Sequence, residues 1–366
     1  MGSGSSCDKE ELKAKTEKSV AESTPVSRRM SEVAPALAYQ NMTTDHVNKM
    51  LEAYANTTLE LSLAQEADFT GFLAQHNLPP FQAIPNQVYK LWHLIEVNFS
   101  HNQLACLDDA IGDLTQLEVL DIASNRLTLL PDSLCKLTRL STLIVSENQL
   151  TSLPCDLGHC ASLKKLICFK NQLTTLPDSI GGCQPLEEVN FFNNKLTSLS
   201  PGFYDLVNLT ELNIALQLYR NALKEIPDTT DLTLLTDLDA NTNQIKTIPD
   251  TLCCPQSSLR SLNLRKNRLL SLPPALGNLK NMEILNIGGN PISSPVPAEL
   301  ANMTKLMSFL VDDSNLTVLP KELASMTSLV RVDVGSRIDH SDDTTKYVMN
   351  QLELTCDTNK GWLKQS

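Results

Sequence analysis

Asparagine returns every 23 residues along the middle of this chain, at Asn102, Asn125, Asn148, Asn171 and Asn194. Around each stands the same frame, LxxLxxLxLxxNxLxxLP. One copy uses Leu114, Leu117, Leu120, Ile122, Asn125, Leu127, Leu130 and Pro131, and the next uses Leu137, Leu140, Leu143, Val145, Asn148, Leu150, Leu153 and Pro154. The frame continues through Asn221, Asn243, Asn267 and Asn290, after which Ser314 and Arg337 take the asparagine slot. One step, from Asn194 to Asn221, is 27 residues long and so carries a four-residue insertion. Counted this way there are about eleven repeats, the last degenerate. Self-similarity at this period belongs to stacked repeat architectures, in which each unit buries its apolar residues only against its neighbours.

Each slot has a physical role. The LxL stretch reads as a short strand, with Leu143 and Val145 facing inward and Ile144 outward, because alternate strand residues face opposite ways. The asparagine can hydrogen-bond backbone groups left open where the strand turns away. The Leu-Pro step ends that turn and starts the outer segment, since proline fixes φ and lacks a donor.

On these motifs, residues 91–337 resemble the intracellular leucine-rich-repeat proteins. Within that family they are most similar to the Ras-associated leucine-rich-repeat scaffolds and to small myristoylated leucine-rich-repeat proteins. The expected fold is α/β: a leucine-rich-repeat horseshoe of about eleven 23-residue repeats, with a parallel concave sheet and helical caps. The resemblance implies a non-enzymatic scaffold that binds a protein on its concave face. By the same resemblance the partner would be a small GTPase, kinase or phosphatase complex. Extracellular relatives carry paired-cysteine caps, and no such pairs flank this array.

Composition narrows the class further. The 366 residues are 42% hydrophobic, which excludes wholesale disorder. Thirty Lys and Arg against 42 Asp and Glu give a net charge of -12. That balance argues against a nucleic-acid binder, which gains affinity by neutralising phosphates. No apolar run approaches the roughly 20 residues that cross a bilayer. The opening MGSGSSCDKEELKAK has no apolar core of a secretory signal. The ten cysteines are therefore expected as reduced thiols in a cytoplasmic protein.

The chain divides by expectation into four parts. Residues 1–45 form a flexible tether, and 46–90 a cap with a helix, an edge strand and a half-repeat. Residues 91–337 are the array, and 338–366 a C-terminal cap. In the first cap Val47, Met50, Leu51 and Tyr54 have helical spacing, and Leu59, Leu61 and Leu63 alternate as in a strand. In the last, Ser341-Asp342-Asp343 reads as a helix start, with Tyr347, Val348 and Leu352 as its apolar stripe.

The amino terminus matches M-G-x-x-x-[ST] through Gly2 and Ser6, an N-myristoylation pattern. One such chain binds membrane only marginally, so stable anchoring needs a second signal. Local charge cannot supply it, because the lysines and arginines of this segment are matched by its acids. Cys7 could, by S-acylation. A plain Gly/Ser leader is the alternative. Arg28-Arg29-Met30-Ser31 matches a basophilic kinase site, with Ser31 as acceptor, although four-residue matches are frequent.

No phosphate-binding glycine loop, nucleophile elbow or metal-ligand spacing is present. Cys155, His159 and Cys160 are close in sequence but lack a second pair at zinc spacing. Cys160 and Cys183 stand in leucine slots and Cys168 in a strand-core slot, as small buried hydrophobes. Neither an enzyme nor a cofactor is expected.

Reading the outward strand positions repeat by repeat gives two columns. Most of their residues are small or polar, but Ile144 and Ile167 are adjacent in one, and Phe169 and Phe192 in the next. Neighbouring strands lie about 4.8 Å apart, so these four side chains are expected to form an exposed apolar patch. Lys165 and Lys170 flank it and would suit an acidic partner segment. Counting forward at 23 residues puts Asn213 and Ala215 in the two columns, and the insertion, ALQLYR, just beyond. Leu216, Leu218 and Tyr219 would then stand in an apolar bulge that enlarges the patch. Two readings of the whole follow. One is a membrane-tethered signalling scaffold; the other is a soluble adaptor for cytoskeletal assembly or for ubiquitin-ligase substrate recognition.

Overall fold

The computed structural model describes residues 60–62, 80–206, 215–226, 235–334, 337–339, 341–351, 354–357 and 361–364. Its centre is one 14-stranded sheet. Strand β1 (Glu60–Ser62) lies at one edge, and β2 (Glu96–Asn98), β3 (Val119–Asp121), β4 (Thr142–Ile144), β5 (Lys165–Ile167) and β6 (Glu188–Asn190) follow in order. Then come β7 (Ala215–Gln217), β8 (Asp237–Asp239), β9 (Ser261–Asn263), β10 (Ile284–Asn286), β11 (Ser308–Leu310) and β12 (Arg331–Asp333). All of these pair in parallel and in sequence order, as a stack of identical units requires. The far edge is closed by an antiparallel hairpin that the repeat pattern does not foretell. In it, β13 (Leu354–Asp357) and β14 (Gly361–Lys364) pair with each other, and β14 pairs with β12.

Strands β2–β6 and β8–β12 each bury their middle residue and the residue after their end. Leu143, Val145, Leu166 and Cys168 have no exposed surface, so the inward register is as expected. On the opposite side, short 3₁₀ turns follow the Leu-Pro steps. Pro131 holds φ at -71° and the turn Asp132–Lys136 begins directly after it. These turns pack tightly between repeats. A Cβ on Gly202 would lie 1.7 Å from the carbonyl oxygen of Asp178, so only glycine allows that approach.

The asparagines form a ladder at the end of the strands. Asn148 accepts from the Leu127 N–H of the preceding repeat at 3.0 Å. It donates to the Ile122 carbonyl of that repeat at 3.0 Å and to its own Val145 and Ser146 carbonyls at 3.1 Å each. Asn125, Asn171, Asn194, Asn243, Asn267 and Asn290 repeat the arrangement. Ser314 cannot, having no amide; its hydroxyl accepts only from the Leu316 N–H of its own repeat.

The residue before each asparagine adopts a left-handed conformation. His101, Ser124, Glu147, Lys170, Asn193, Arg220, Thr242, Lys266 and Asp313 have φ between 51° and 56°, and Gly289 has 66°. Such a conformation is costly for a residue with a side chain. Here it lets the chain leave the strand while its N–H still reaches the next repeat, as Glu147 donates to the Phe169 carbonyl at 2.8 Å.

Helix α1 (Asp343–Gln351) packs on the last 3₁₀ turn, Lys321–Ser325. Asp342 caps it by accepting from the Thr345 N–H at 2.7 Å. Its buried face is Thr345, Val348 and Met349. The expected stripe is corrected at Tyr347, which is 52% exposed because it faces away from that turn; Leu352 lies outside the described residues.

Candidate functional site

On the outward side of β5 and β6, the rings of Phe169 and Phe192 lie 6.2 Å apart at 26°. The next ring is Tyr219, stacked on Phe192 at 3.9 Å and 17°. Three adjoining repeats therefore present one aromatic ladder, partly buried along its length. Register puts the tyrosine there: Gln217 sits opposite Asn190 on one side and Asp239 on the other. The Asn193 N–H donates to the Tyr219 carbonyl at 3.0 Å.

This placement corrects the expected bulge. By register Gln217 continues the column of Asn190 and Asp239, which puts Tyr219 in the column of Phe192, and Ala215 stands opposite Asp237 instead; Asn213 lies outside the described residues. Leu218 is completely buried and belongs to the core, and Leu216 takes the register position opposite Leu238. The four extra residues enter earlier. Leu206 stands nine residues before β7, whereas its counterpart Cys183 stands five before β6, so the insertion falls between Leu206 and Ala215. The intervening residues 207–214 lie outside the described set.

Of the isoleucines, Ile144 is half-exposed but Ile167 keeps only 5% of its surface. Ile167 has Lys165 and Phe169 two residues to either side in its own repeat and Ile144 and Asn190 opposite it on the adjoining strands, so it is surrounded on four sides. It cannot offer the contact area expected of it.

The flanking lysines are already engaged. Lys165 pairs with Glu188 at 2.8 Å. Lys170 pairs with Glu147 at 2.5 Å and lies 5.8 Å from the centre of the Phe169 ring. Its hydrogen bond holds the Glu147 carboxyl below the usual range, assisted by the Ser124 hydroxyl. The cation that the sequence reading missed is Arg220, exposed and 5.9 Å from the Phe192 ring. Its position just after Tyr219 becomes meaningful only once the register is known. Burial, reinforced by Asp239, raises the Tyr219 phenol above its ordinary value, so it is a neutral hydroxyl at pH 7. Burial likewise raises the Asp239 carboxyl, against the hydrogen bonds it accepts from Asn241.

Nothing in the sheet face assembles a reaction centre among the described residues. Burial pushes the Cys135 thiol up to about 11, and those of Cys160, Cys183 and Cys253 up to about 12, so they stay protonated. Among the described residues no group of three or more His, Cys, Asp or Glu side chains could hold a metal ion. A groove of about 730 Å³ follows the Leu-Pro steps around Leu129, Leu153 and Leu176, with Asp132 as its only charged lining residue. Its polar lining is limited to Asp132, two cysteines and the hydroxyls of Thr128, Ser152 and Thr175 spread along successive repeats, so the aromatic ladder is the stronger candidate.

Parallel three-residue strands in 23-residue units, an asparagine ladder and 3₁₀ turns on the outer face decide the architecture. The chain is a leucine-rich-repeat solenoid. Residues 257–302 match the family description "Leucine Rich repeats (2 copies)" and residues 116–137 match "Leucine Rich Repeat". A leucine-rich-repeat protein of Leptospira interrogans superposes over 93% of this solenoid and 96% of its own chain, with a TM-score of 0.53 and 22% identity. A TDR receptor superposes over 85% of this chain and 53% of its own, with a TM-score of 0.67 and 23% identity. The plant peptide hormone receptor RGFR1, solved in complex with RGF2, covers 69% of this chain and 46% of its own at 24% identity and a TM-score of 0.56. In sequence, the solenoid is 32% identical over 124 residues to the mouse leucine-rich repeat and calponin homology domain-containing protein 1. It is 30% identical over 157 residues to the probable serine/threonine-protein kinase pats1 of Dictyostelium discoideum. These matches take in 33% and 35% of this chain but only 17% and 5% of the relatives. Among the described residues no helix is long and apolar enough to cross a membrane.

Proposed function

We propose that this solenoid is a non-enzymatic scaffold that holds a protein partner on the aromatic ladder of its concave face. The observation that carries this is the partly exposed stack of Phe169, Phe192 and Tyr219, with a cation beside two of its rings. Aromatic side chains and arginine are the residue types that dominate interface energetics. The family resemblance supplies the partner class, a small GTPase, kinase or phosphatase complex in intracellular signalling. A soluble adaptor for cytoskeletal or ubiquitin machinery would use the same face.

The test replaces all three rings: Phe169→Ala, Phe192→Ala and Tyr219→Ala. Proximity-labelled partners should be lost, since hot-spot rings contribute upwards of about 2 kcal/mol each, while the melting temperature stays within a few degrees of the parent. Full partner recovery would refute the site. A collapse of the fold would assign the rings to the core instead.

A lipid tether is the second part of the proposal. Gly2, Cys7 and the candidate phosphorylation site Ser31 lie outside the described residues, so the tether rests on the sequence pattern alone. Labelling with a myristate analogue should be abolished by Gly2→Ala, which should also move the protein from membrane to soluble fractions. Cys7→Ser should do so in part, because one acyl chain binds reversibly. Unlabelled wild-type protein would leave the soluble adaptor as the reading.

A further inference from the structure

The strands' C-terminal ends form one long edge of the solenoid, and its charge is not that of the molecule. Between the fifth and eighth array strands this edge carries Lys195, Arg220, Lys224, Lys246, Lys266 and Arg268, all exposed. Register places them in three columns of the four repeats. Lys195 follows Asn194 as Arg268 follows Asn267, Arg220 and Lys266 hold the left-handed slot, and Lys224 and Lys246 occupy one column on adjacent repeats. Several other cations near the sheet are paired, as in Lys165–Glu188, Lys170–Glu147, Arg139–Glu118 and Arg265–Asp312, whereas Arg126, in the slot of Lys195 and Arg268, stands exposed on an earlier repeat. Among the described residues none of these six forms an ion pair, and Lys195 bonds only the Gln172 amide oxygen. Among the described residues of these edge turns, 194–200, 220–226, 242–248 and 266–272, Glu225 is the one acid. Six cations less one acid leave +5 here, in a chain whose net charge is -12, so the remainder carries -17.

A patch of this kind focuses a positive field over the few ångströms that physiological salt leaves unscreened. It also touches the aromatic ladder, because Arg220 is both an edge cation and the residue beside the Phe192 ring. We propose that this edge binds an acidic protein segment, a run of Asp and Glu laid across the four repeats, with one aromatic residue turned onto the ladder at Phe192 and Tyr219. Three steps of about 4.8 Å span roughly 15 Å, which about five residues of extended chain would cover. The inference rests on the proposed partner site and supplies its chemistry.

The probe is a fluorescent dodecapeptide of alternating Asp and Glu with one central Phe, read by anisotropy on the full chain. Lys195→Glu with Arg220→Glu and Lys266→Glu should weaken binding about tenfold or more at low salt, and the difference should shrink as salt rises. Reversing Lys90, Lys136 and Lys321, exposed on the outer face, should change little. Replacing the peptide's Phe by Gly should weaken it further. If wild-type protein ignores the peptide, or if both reversals weaken it equally, the edge is not a specific site. If duplex DNA or phosphatidylserine vesicles bind more tightly than the peptide and depend on the same residues, the partner is not an acidic protein segment. Partner capture that depends on the rings but not on the edge would overturn this inference and leave the scaffold reading intact.

Discussion

Replacing Asn171 by alanine is expected to destabilise the solenoid by about 2–5 kcal/mol, although the side chain contributes no apolar packing. The amide accepts from the Leu150 N–H at 2.9 Å and donates to the Val145 and Cys168 carbonyls at 3.0 and 3.1 Å. All are buried, and two belong to the preceding repeat. Alanine would leave them without partners where water cannot reach, and each orphaned group costs roughly 1–3 kcal/mol. The control is Thr174→Ala, three residues on and exposed. Urea unfolding should show a large shift of midpoint for the first and almost none for the second. If the two shift alike, the ladder is decoration. Because repeat arrays can unfold in stages, the comparison should use the earliest transition.

A similar loss is expected from Leu143→Ala, about 2–5 kcal/mol, as a buried leucine truncation leaves a cavity between repeats. Its outward neighbour provides the contrast. Ile144 keeps part of its surface exposed, and Ile144→Ala should cost clearly less than Leu143→Ala, about 1 kcal/mol. Comparable losses of melting temperature at the two positions would mean that the strand is out of register by one residue.

The inward face was legible in the sequence because a single residue type per slot, repeated at a fixed interval, leaves no freedom of register. Leu143, Val145 and Cys168 are buried as that periodicity requires. The outward face was harder to read, and the failures at Leu216, Leu218 and Ile167 have separate causes. Both ELNI and ALQL satisfy the alternation of a strand, so counting forward from the previous repeat selects the first. Counting back from Asn221 selects the second and puts Tyr219 in the slot of Phe192, two residues before the asparagine. The asparagine is the better ruler, since its hydrogen bonds lock it to both its own repeat and its neighbour. Ile167 was missed for a different reason. Exposure on an inner face depends on the size of four surrounding side chains, which no single column displays. The closing hairpin of β13 and β14 has no counterpart in the repeats, so repetition could not announce it.

The stack has a direction. The ladder asparagines reach toward the amino-terminal neighbour, and the left-handed residues from His101 to Gly289 send their N–H toward the carboxy-terminal one. A repeat is thus satisfied by two unlike surfaces, and the ends of the array are not interchangeable, much as the two ends of a polar filament are not. A copy of the same unit could extend one end only in one orientation. At the carboxy-terminal end the chain reverses direction, and β14 lies antiparallel on β12. That reversal breaks the translational rule by which another repeat would be added. The solenoid is consequently a segment of finite length with a head and a tail, and a ligand crossing its face meets the repeats in a defined order.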